Sequence, residues 1–382
     1  MTSQPPKPAR LLFLFSDTGG GHRSAAEAII EALCLEFGDR ISTSMVDVFK
    51  DYAPKPLNRM PDLYPHMVRV PSAWGLSYHL SDGHRRARLI SASAWPYLRS
   101  RIRSLVLQNP CDLLVSVHPL ANAPALRALR TLGTQEAPFV TVVTDLVTTH
   151  ALWYHRRANL CLVPTEMAYQ RALECGLKPK QLQVTGLPVA DRFCQPGGDR
   201  QAIRQRLGWP QDLPVVLLVG GGEGMGPLEK TARAIAAANL PVSLVVIAGR
   251  NRDLKSRLEG QQWPIPTLIY GFVKEMPDFM QAADILVTKA GPGTISEAFN
   301  AGLPMILYSR LPGQEDGNVS YVNSHGAGVW APHPEMIVAA VKNWIDHPEK
   351  WDQAAEACRR LARPEAARRV ARILAAQVGV EA

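Results

Sequence analysis

One feature narrows the folds open to this chain: three times, an apolar run passes through a cluster of glycines into a helical pattern. The middle instance is the longest. Val215-Val216-Leu217-Leu218-Val219 enters Gly220-Gly221-Gly222-Glu223-Gly224-Met225-Gly226-Pro227, and a helical pattern follows from Leu228 to Ala238. Successive apolar residues rich in valine read as a strand buried on both faces. Glycines, lacking Cβ, let backbone N–H groups approach an anion, and a helix start favours negative charge. One such turn can be a bare connection between strand and helix; three in one chain point to a ligand. The first instance is Leu11-Leu12-Phe13-Leu14-Phe15 entering Ser16-Asp17-Thr18-Gly19-Gly20-Gly21-His22-Arg23, with a helix expected from about Ser24. The third is Asp284-Ile285-Leu286-Val287-Thr288-Lys289 entering Ala290-Gly291-Pro292-Gly293-Thr294.

Between these turns the same alternation continues, at roughly 25–35 residues per strand–helix pair, which argues for parallel sheets with right-handed crossovers. Further strands are expected at 41–48, Asp112–His118, Pro138–Asp145, Asn159–Val163 and Gln183–Pro188. In the second half they are expected at Val242–Ala248 and Thr267–Val273, with Pro304–Tyr308 as the last. Several first-half strands end on polar residues that a parallel sheet brings to one edge: Ser16-Asp17, His118 and Asp145. A length of 382 residues suggests two domains. The stretch from Arg192 to Gly208, with Pro196-Gly197-Gly198, reads as the boundary, giving 1–195 and 196–382, the last helix packing back on the first domain. The expected fold is α/β, two Rossmann-like doubly wound sheets facing across a cleft, an arrangement that resembles the GT-B class of nucleotide-sugar glycosyltransferases.

Composition excludes several functions. The net charge of +8 favours an acidic partner, a nucleotide or an anionic membrane surface. The basic residues lack interleaved aromatic platforms, so nucleic acid is not expected. The first glycine turn is not a P-loop, and none of the turns fits Gly-x-Gly-x-x-Gly followed by an acidic residue at the second strand end, which argues against a dinucleotide cofactor. The six cysteines have no metal-ligand spacing, so free thiols and no metal are expected. Residues 1–10 carry no signal peptide, and no apolar run reaches the ~20 residues that span a bilayer. Residues 51–80 are broken by prolines and rich in Met60, Tyr64, Met67, Trp74, Leu76 and Tyr78. They read either as an irregular segment packed on the core or as an apolar flap toward lipid, and Arg85, Arg86, Arg88, Arg99, Arg101 and Arg103 either as a solvated basic face or as suiting an anionic interface.

His22 stands among glycines at a sheet edge, where an imidazole suits proton transfer. Glu297, one turn into the third helix, is placed to accept from ribose hydroxyls while Gly293 and Thr294 donate to a diphosphate. Side by side, Gln314, Glu315 and Asn318 suit sugar hydroxyls.

The motifs Ser16–Arg23, Gly220–Pro227 and Thr288–Thr294 resemble those of the plant-type monogalactosyldiacylglycerol synthases. So do Ser116-Val117-His118-Pro119-Leu120, Thr144-Asp145-Leu146-Val147-Thr148, Gly186-Leu187-Pro188-Val189 and Gly313-Gln314-Glu315-Asp316-Gly317-Asn318. The resemblance runs from about Leu11 to Trp330. It implies an inverting transfer of galactose from UDP-galactose to the 3-hydroxyl of diacylglycerol, at a membrane surface and without metal or cofactor. Transfer of glucose from UDP-glucose is the alternative, since the two sugars differ only at the 4-hydroxyl. The resemblance makes His22 the base, with Asp145 orienting it or the acceptor, and Gly20, Gly21 and His118 on the acceptor side. On the donor side it implies Phe272 and Val273 for the uracil, Gly293 and Thr294 for the diphosphate, Glu297 for the ribose, and Gln314 and Glu315 for the sugar. Lys289 would neutralise the leaving UDP, and Gly221, Gly222, Gly224, Met225, Arg250, Gly291 and Asn318 complete that set. With no transit peptide at its start, the chain is expected to be bacterial, peripheral on the cytoplasmic side of the membrane.

Overall fold

The computed structural model describes residues 7–18, 20–68, 70–133, 137–195, 197–222, 224 and 226–381. The chain divides into two compact units, residues 1–191 with 311–314 and 365–382, and residues 192–310 with 315–364. The division therefore falls at Asp191, ahead of the expected 195, and the first unit takes back two later segments.

In the first unit the strands are β1 (Ala9–Phe15), β2 (Ile41–Asp47), β3 (Leu113–Ser116), β4 (Phe139–Val142), β5 (Leu160–Val163) and β6 (Leu182–Val184). They form one parallel sheet in the order β2-β1-β3-β4-β5-β6. Alternate residues of β1 face opposite layers, as a pleated strand requires. Leu11 and Phe13 pack with Ile29 and Leu33 of helix Gly21–Phe37 and with Val370 and Leu374 of helix Ala366–Gln377. Leu12 and Leu14 pack with Ile102 and Leu105 of helix His84–Gln108 and with Ala125 and Leu129 of helix Pro119–Leu132. The C-terminal helix is also tied by Arg372 to Glu36 (2.6 Å) and by Arg368 to Asp191 (2.8 Å).

The second unit carries β7 (Val215–Val219), β8 (Ser243–Ile247), β9 (Thr267–Tyr270), β10 (Ile285–Lys289), β11 (Met305–Ser309) and β12 (Gly328–Trp330). Its parallel order is β12-β11-β10-β7-β8-β9, the doubly wound arrangement of dinucleotide-binding folds. Val216, Leu218 and Val287 pack with Leu228, Ile235, Val341 and Trp344. These two sheets are the Rossmann-like pair of the expected fold class.

Four local expectations are corrected. The first helix begins at Gly21, not Ser24, because Gly20 takes a left-handed turn (φ 75°) that the chain needs to enter it. The segment 51–80 is largely helical, with helices Met60–Met67 and Pro71–Ser81. Its prolines misread as breakers: Pro71 sits at the first helical position, where a missing N–H costs nothing. Arg200–Leu207, inside the expected boundary, is a helix held to the second unit by Arg200 (2.8 Å) and Arg204 on Asp284. Finally, Pro304–Tyr308 is not the last strand. β12 follows, and its glycine lets backbone come close: a Cβ on Gly328 would lie 2.2 Å from the Met305 oxygen.

Candidate active site

In a doubly wound sheet, ligands sit beyond the carboxyl ends of the strands where the strand order reverses. In the first unit that point lies between β1 and β3, and His22 and His118 follow those two strands. Their rings meet edge to face with centroids 4.6 Å apart, and Trp153 lies 5.9 Å from His22. His118 is buried and fully committed. Leu120 N–H donates to its Nδ1 (3.3 Å), so Nε2 carries the hydrogen and donates to Thr18 Oγ1 (3.0 Å). Burial, and secondarily the neighbouring His22, hold His118 well below the ordinary histidine range. His22 occupies the first helical turn rather than a loop tip, half-buried, with Nδ1 2.7 Å from Thr144 Oγ1. Burial lowers its pKa to about 4, against a smaller upward pull from the Val117 backbone. At neutral pH both imidazoles are uncharged, and His22 has a proton-accepting form.

Asp145 is next to Thr144 in the chain but has other partners. It accepts from Trp153 Nε1 (2.6 Å) and from Gln314 Nε2 (3.0 Å). Thr144 is thus the hydroxyl on His22, a residue the sequence offered only as a neighbour of the charged one. Gln314, expected to read the sugar, belongs to the first unit and meets Asp145. Gly20 and Gly21 leave open space: a Cβ on either would meet nothing within 4 Å.

In the second unit the strand order reverses between β7 and β10, the two strands that enter the glycine turns. Gly222 accepts from Arg250 N–H (2.8 Å), and a Cβ on Gly249 would lie 2.4 Å from the Gly222 oxygen. The turns after β7 and β8 therefore interlock through backbone. Gly224 packs on the same β8 turn, and Met225 lies outside the described residues. Arg250 lies over the Phe272 ring at 4.5 Å, with Phe272 half exposed at the end of β9 and Val273 beside it. Lys289, at the end of β10, reaches between the turns. Its Nζ bonds Glu315 Oε1 (3.0 Å), its Cε would lie 3.5 Å from a Cβ on Gly221, and its Nζ 2.8 Å from one on Gly291. Glu315 is buried, and Asn318 donates to the Ala290 carbonyl (2.9 Å) while its Oδ1 is buried without a partner among the described residues. Gly291 precedes helix Pro292–Ala301 with no side-chain cap, and a Cβ on Gly293 would meet open space. Thr294 and Glu297 lie on that helix, both partly exposed. Burial raises Glu297 to about 7, opposed by Arg192. Among the described residues, no group of three His, Cys, Asp or Glu is arranged to hold a metal ion.

A family model for monogalactosyldiacylglycerol synthase matches residues 22–189, and one for the glycosyltransferase family 28 C-terminal domain matches 215–370. The chain is 39% identical over 369 residues to monogalactosyldiacylglycerol synthase 1, chloroplastic, of Arabidopsis thaliana, covering 94% of this chain and 69% of that one. It is 39% identical over 365 residues to synthase 3 of the same plant, covering 93% and 78%. The chain belongs to the monogalactosyldiacylglycerol synthase family. Among solved structures it is similar to MurG of Acinetobacter baumannii (TM-score 0.61, 17% identity, 96% of this chain and 99% of that one). It is also similar to S. aureus MnaA, solved with UDP (TM-score 0.61, 15% identity, 96% of each chain). These two likenesses carry the GT-B fold. The expectation of a bacterial enzyme on the cytoplasmic side of the membrane is overturned, since these family relatives are chloroplastic plant enzymes.

The lipid-facing set is also revised. Trp74 is half-buried with its ring 5.5 Å from Tyr64. Arg86 caps helix Pro71–Ser81 by donating to the carbonyls of His79 (3.1 Å) and Leu80 (3.3 Å). Leu76 is exposed as expected, and Leu80 and Leu89, missed in the sequence, are exposed at 62% and 69% beside exposed Arg85 and Arg88. No described helix is long and apolar enough to cross a membrane.

Proposed function

We propose that this chain transfers galactose from UDP-galactose to the 3-hydroxyl of 1,2-diacylglycerol, with inversion at the anomeric carbon. Family membership supports the reaction class, and the observation that carries the chemistry is the uncharged, half-buried His22 at the reversal point of the first sheet. In this reading the acceptor oxygen forms a bond to the anomeric carbon as the bond from that carbon to the diphosphate oxygen breaks. The acceptor proton passes to His22. A positioned base of this kind contributes about 10²–10⁴-fold. UDP departs with the electron pair, and its charge is met in the second unit by Lys289, the backbone of the glycine turns and the start of helix Pro292–Ala301. No cofactor is required. Phe272 and Val273 take the uracil, Glu297 the ribose, and Glu315 and Asn318 the sugar. The orphaned Asn318 Oδ1 suits a hydroxyl donor.

The acceptor is insoluble, so the protein must draw it from a bilayer. We place the docking surface at Leu76, Leu80 and Leu89 with Arg85 and Arg88, where apolar side chains enter lipid and arginines meet anionic headgroups. The test is UDP release from UDP-galactose with and without diacylglycerol, beside the same assay with UDP-glucose. Lipid-dependent release from UDP-galactose alone supports the proposal. Equal or faster release from UDP-glucose would replace galactose by glucose, and release that ignores the lipid would overturn the acceptor.

A further inference from the structure

The residue that prepares His22 for proton transfer is legible in the surroundings of its ring. His118 is the nearest ring, but both of its nitrogens are occupied, Nδ1 by Leu120 N–H and Nε2 by Thr18 Oγ1. Asp145, the carboxylate expected from the resemblance to orient it, accepts from Trp153 and Gln314. The hydroxyl of Thr144 is what meets a nitrogen of His22, at 2.7 Å.

We propose that Thr144 is the positioning residue of the transfer reaction, its hydroxyl holding His22 through Nδ1 in the orientation that accepts the acceptor proton. The inference rests on the reading of His22 as the base. Three observations make Thr144 fit for this. It is only 4% exposed, so bulk water does not compete for the bond. It lies two residues beyond β4, which is paired on both sides, and the intervening Val143 N–H donates to the Leu162 carbonyl (2.9 Å), so its backbone is held. Its branched Cβ restricts the side-chain rotation that would release the ring. Without the hydroxyl, the imidazole keeps its packing on Trp153 and His118 and its contact with the Val117 backbone but loses the 2.7 Å bond to Thr144. A base that samples several orientations loses rate, because misplacement of a reacting group by an ångström costs about 10²-fold.

The experiment compares Thr144→Val, which keeps shape and removes the hydroxyl, with Thr144→Ser, which keeps the hydroxyl. Both are measured for kcat, for KM toward UDP-galactose and diacylglycerol, and for UDP affinity by calorimetry. The expected result is a kcat about 10–100-fold lower for Thr144→Val, with both KM values and UDP affinity near the parent's. Thr144→Ser recovers most of that loss. In a His22→Ala background Thr144→Val has no further effect, because the two act as one unit. Should the valine variant not fold, Thr144→Ala repeats the comparison. Parent kcat in the variant lacking the hydroxyl overturns the proposal, as does equal impairment of the valine and serine variants, or additive losses with His22→Ala. Parent-rate turnover by His22→Ala alone overturns the base reading and this inference together. A slow His22→Ala beside a fast Thr144→Val overturns only the role of Thr144.

Discussion

Glu297 offers a test in which the magnitude comes directly from the structure. Burial raises its pKa to about 7, so in the free protein it is half ionised at neutral pH. A carboxylate that accepts from two ribose hydroxyls binds them in its ionised form, and a protonated one gives up part of that capacity. Apparent affinity then scales with the ionised fraction, about a tenth at pH 6 and about nine-tenths at pH 8. UDP should therefore bind about tenfold more tightly at pH 8 than at pH 6, a difference of about 1.4 kcal/mol. The sign follows from the raised pKa: ionisation is lost as pH falls through about 7, and affinity with it. A phosphate also titrates near pH 6, so uridine, which keeps the ribose and lacks phosphate, is the cleaner ligand. Calorimetry of uridine and UDP across this range, on the parent and on Glu297→Gln, separates the two sources. The glutamine variant should bind more weakly at pH 8 and show no slope with uridine. A parent whose uridine affinity is flat between pH 6 and pH 8, or a glutamine variant with the parent's slope, would refute the assignment.

Further outcomes are open to measurement. His22→Ala should lower kcat by about 10²–10⁴-fold while UDP affinity stays near the parent's, since the side chain lies in the first unit. With UDP-galactose saturating, so that Glu297 is already engaged, the acid limb of the parent's kcat/KM for diacylglycerol should fall near pH 4, where His22 takes a proton, and not near the ordinary 6.5; a limb at 6.5 would contradict its burial. Gly249→Ala should cost at least tenfold in UDP affinity. Its φ of 62° and a Cβ 2.4 Å from the Gly222 oxygen would force the two donor turns apart, and unchanged calorimetry would show that they do not shape the site. In co-sedimentation with anionic vesicles, Leu76, Leu80 and Leu89 changed to Ser should reduce the binding that survives high salt. Arg85→Gln and Arg88→Gln should reduce the salt-sensitive part, by about 1 kcal/mol each. Equal binding of all variants would place docking elsewhere.

The sheets were legible because parallel strands buried on both faces leave continuous apolar runs. Val215–Val219 and Leu11–Phe15 could hardly be read otherwise. β12 was not, since three residues including a glycine carry no periodicity, and its existence depends on the close approach to Met305. The helices in 51–80 were hidden for a different reason. Proline breaks a helix in its interior but starts one well, and composition alone does not say which position Pro71 holds.

The candidate site divides along the same line between what a residue is and where the backbone puts it. His22 and the donor glycines could be found from type and spacing, because a strand end followed by glycines fixes both the place and the freedom of the backbone. The choice between Thr144 and Asp145 could not. Chemistry favours a carboxylate beside an imidazole, and a sequence reader selects the charged residue of the pair. Two consecutive residues leaving a strand send their side chains to different partners, and here Thr144 meets His22 while Asp145 meets Trp153 and Gln314. The same split separates Gln314, on Asp145, from Glu315, on Lys289. The outcome has a chemical consequence. A carboxylate on Nδ1 would stabilise the imidazolium and raise the pKa of His22, whereas a neutral hydroxyl leaves burial in control. His22 therefore stays unprotonated far into the acid range, ready to accept a proton but a weak base, and its contribution rests on the fixed geometry that Thr144 supplies more than on proton affinity.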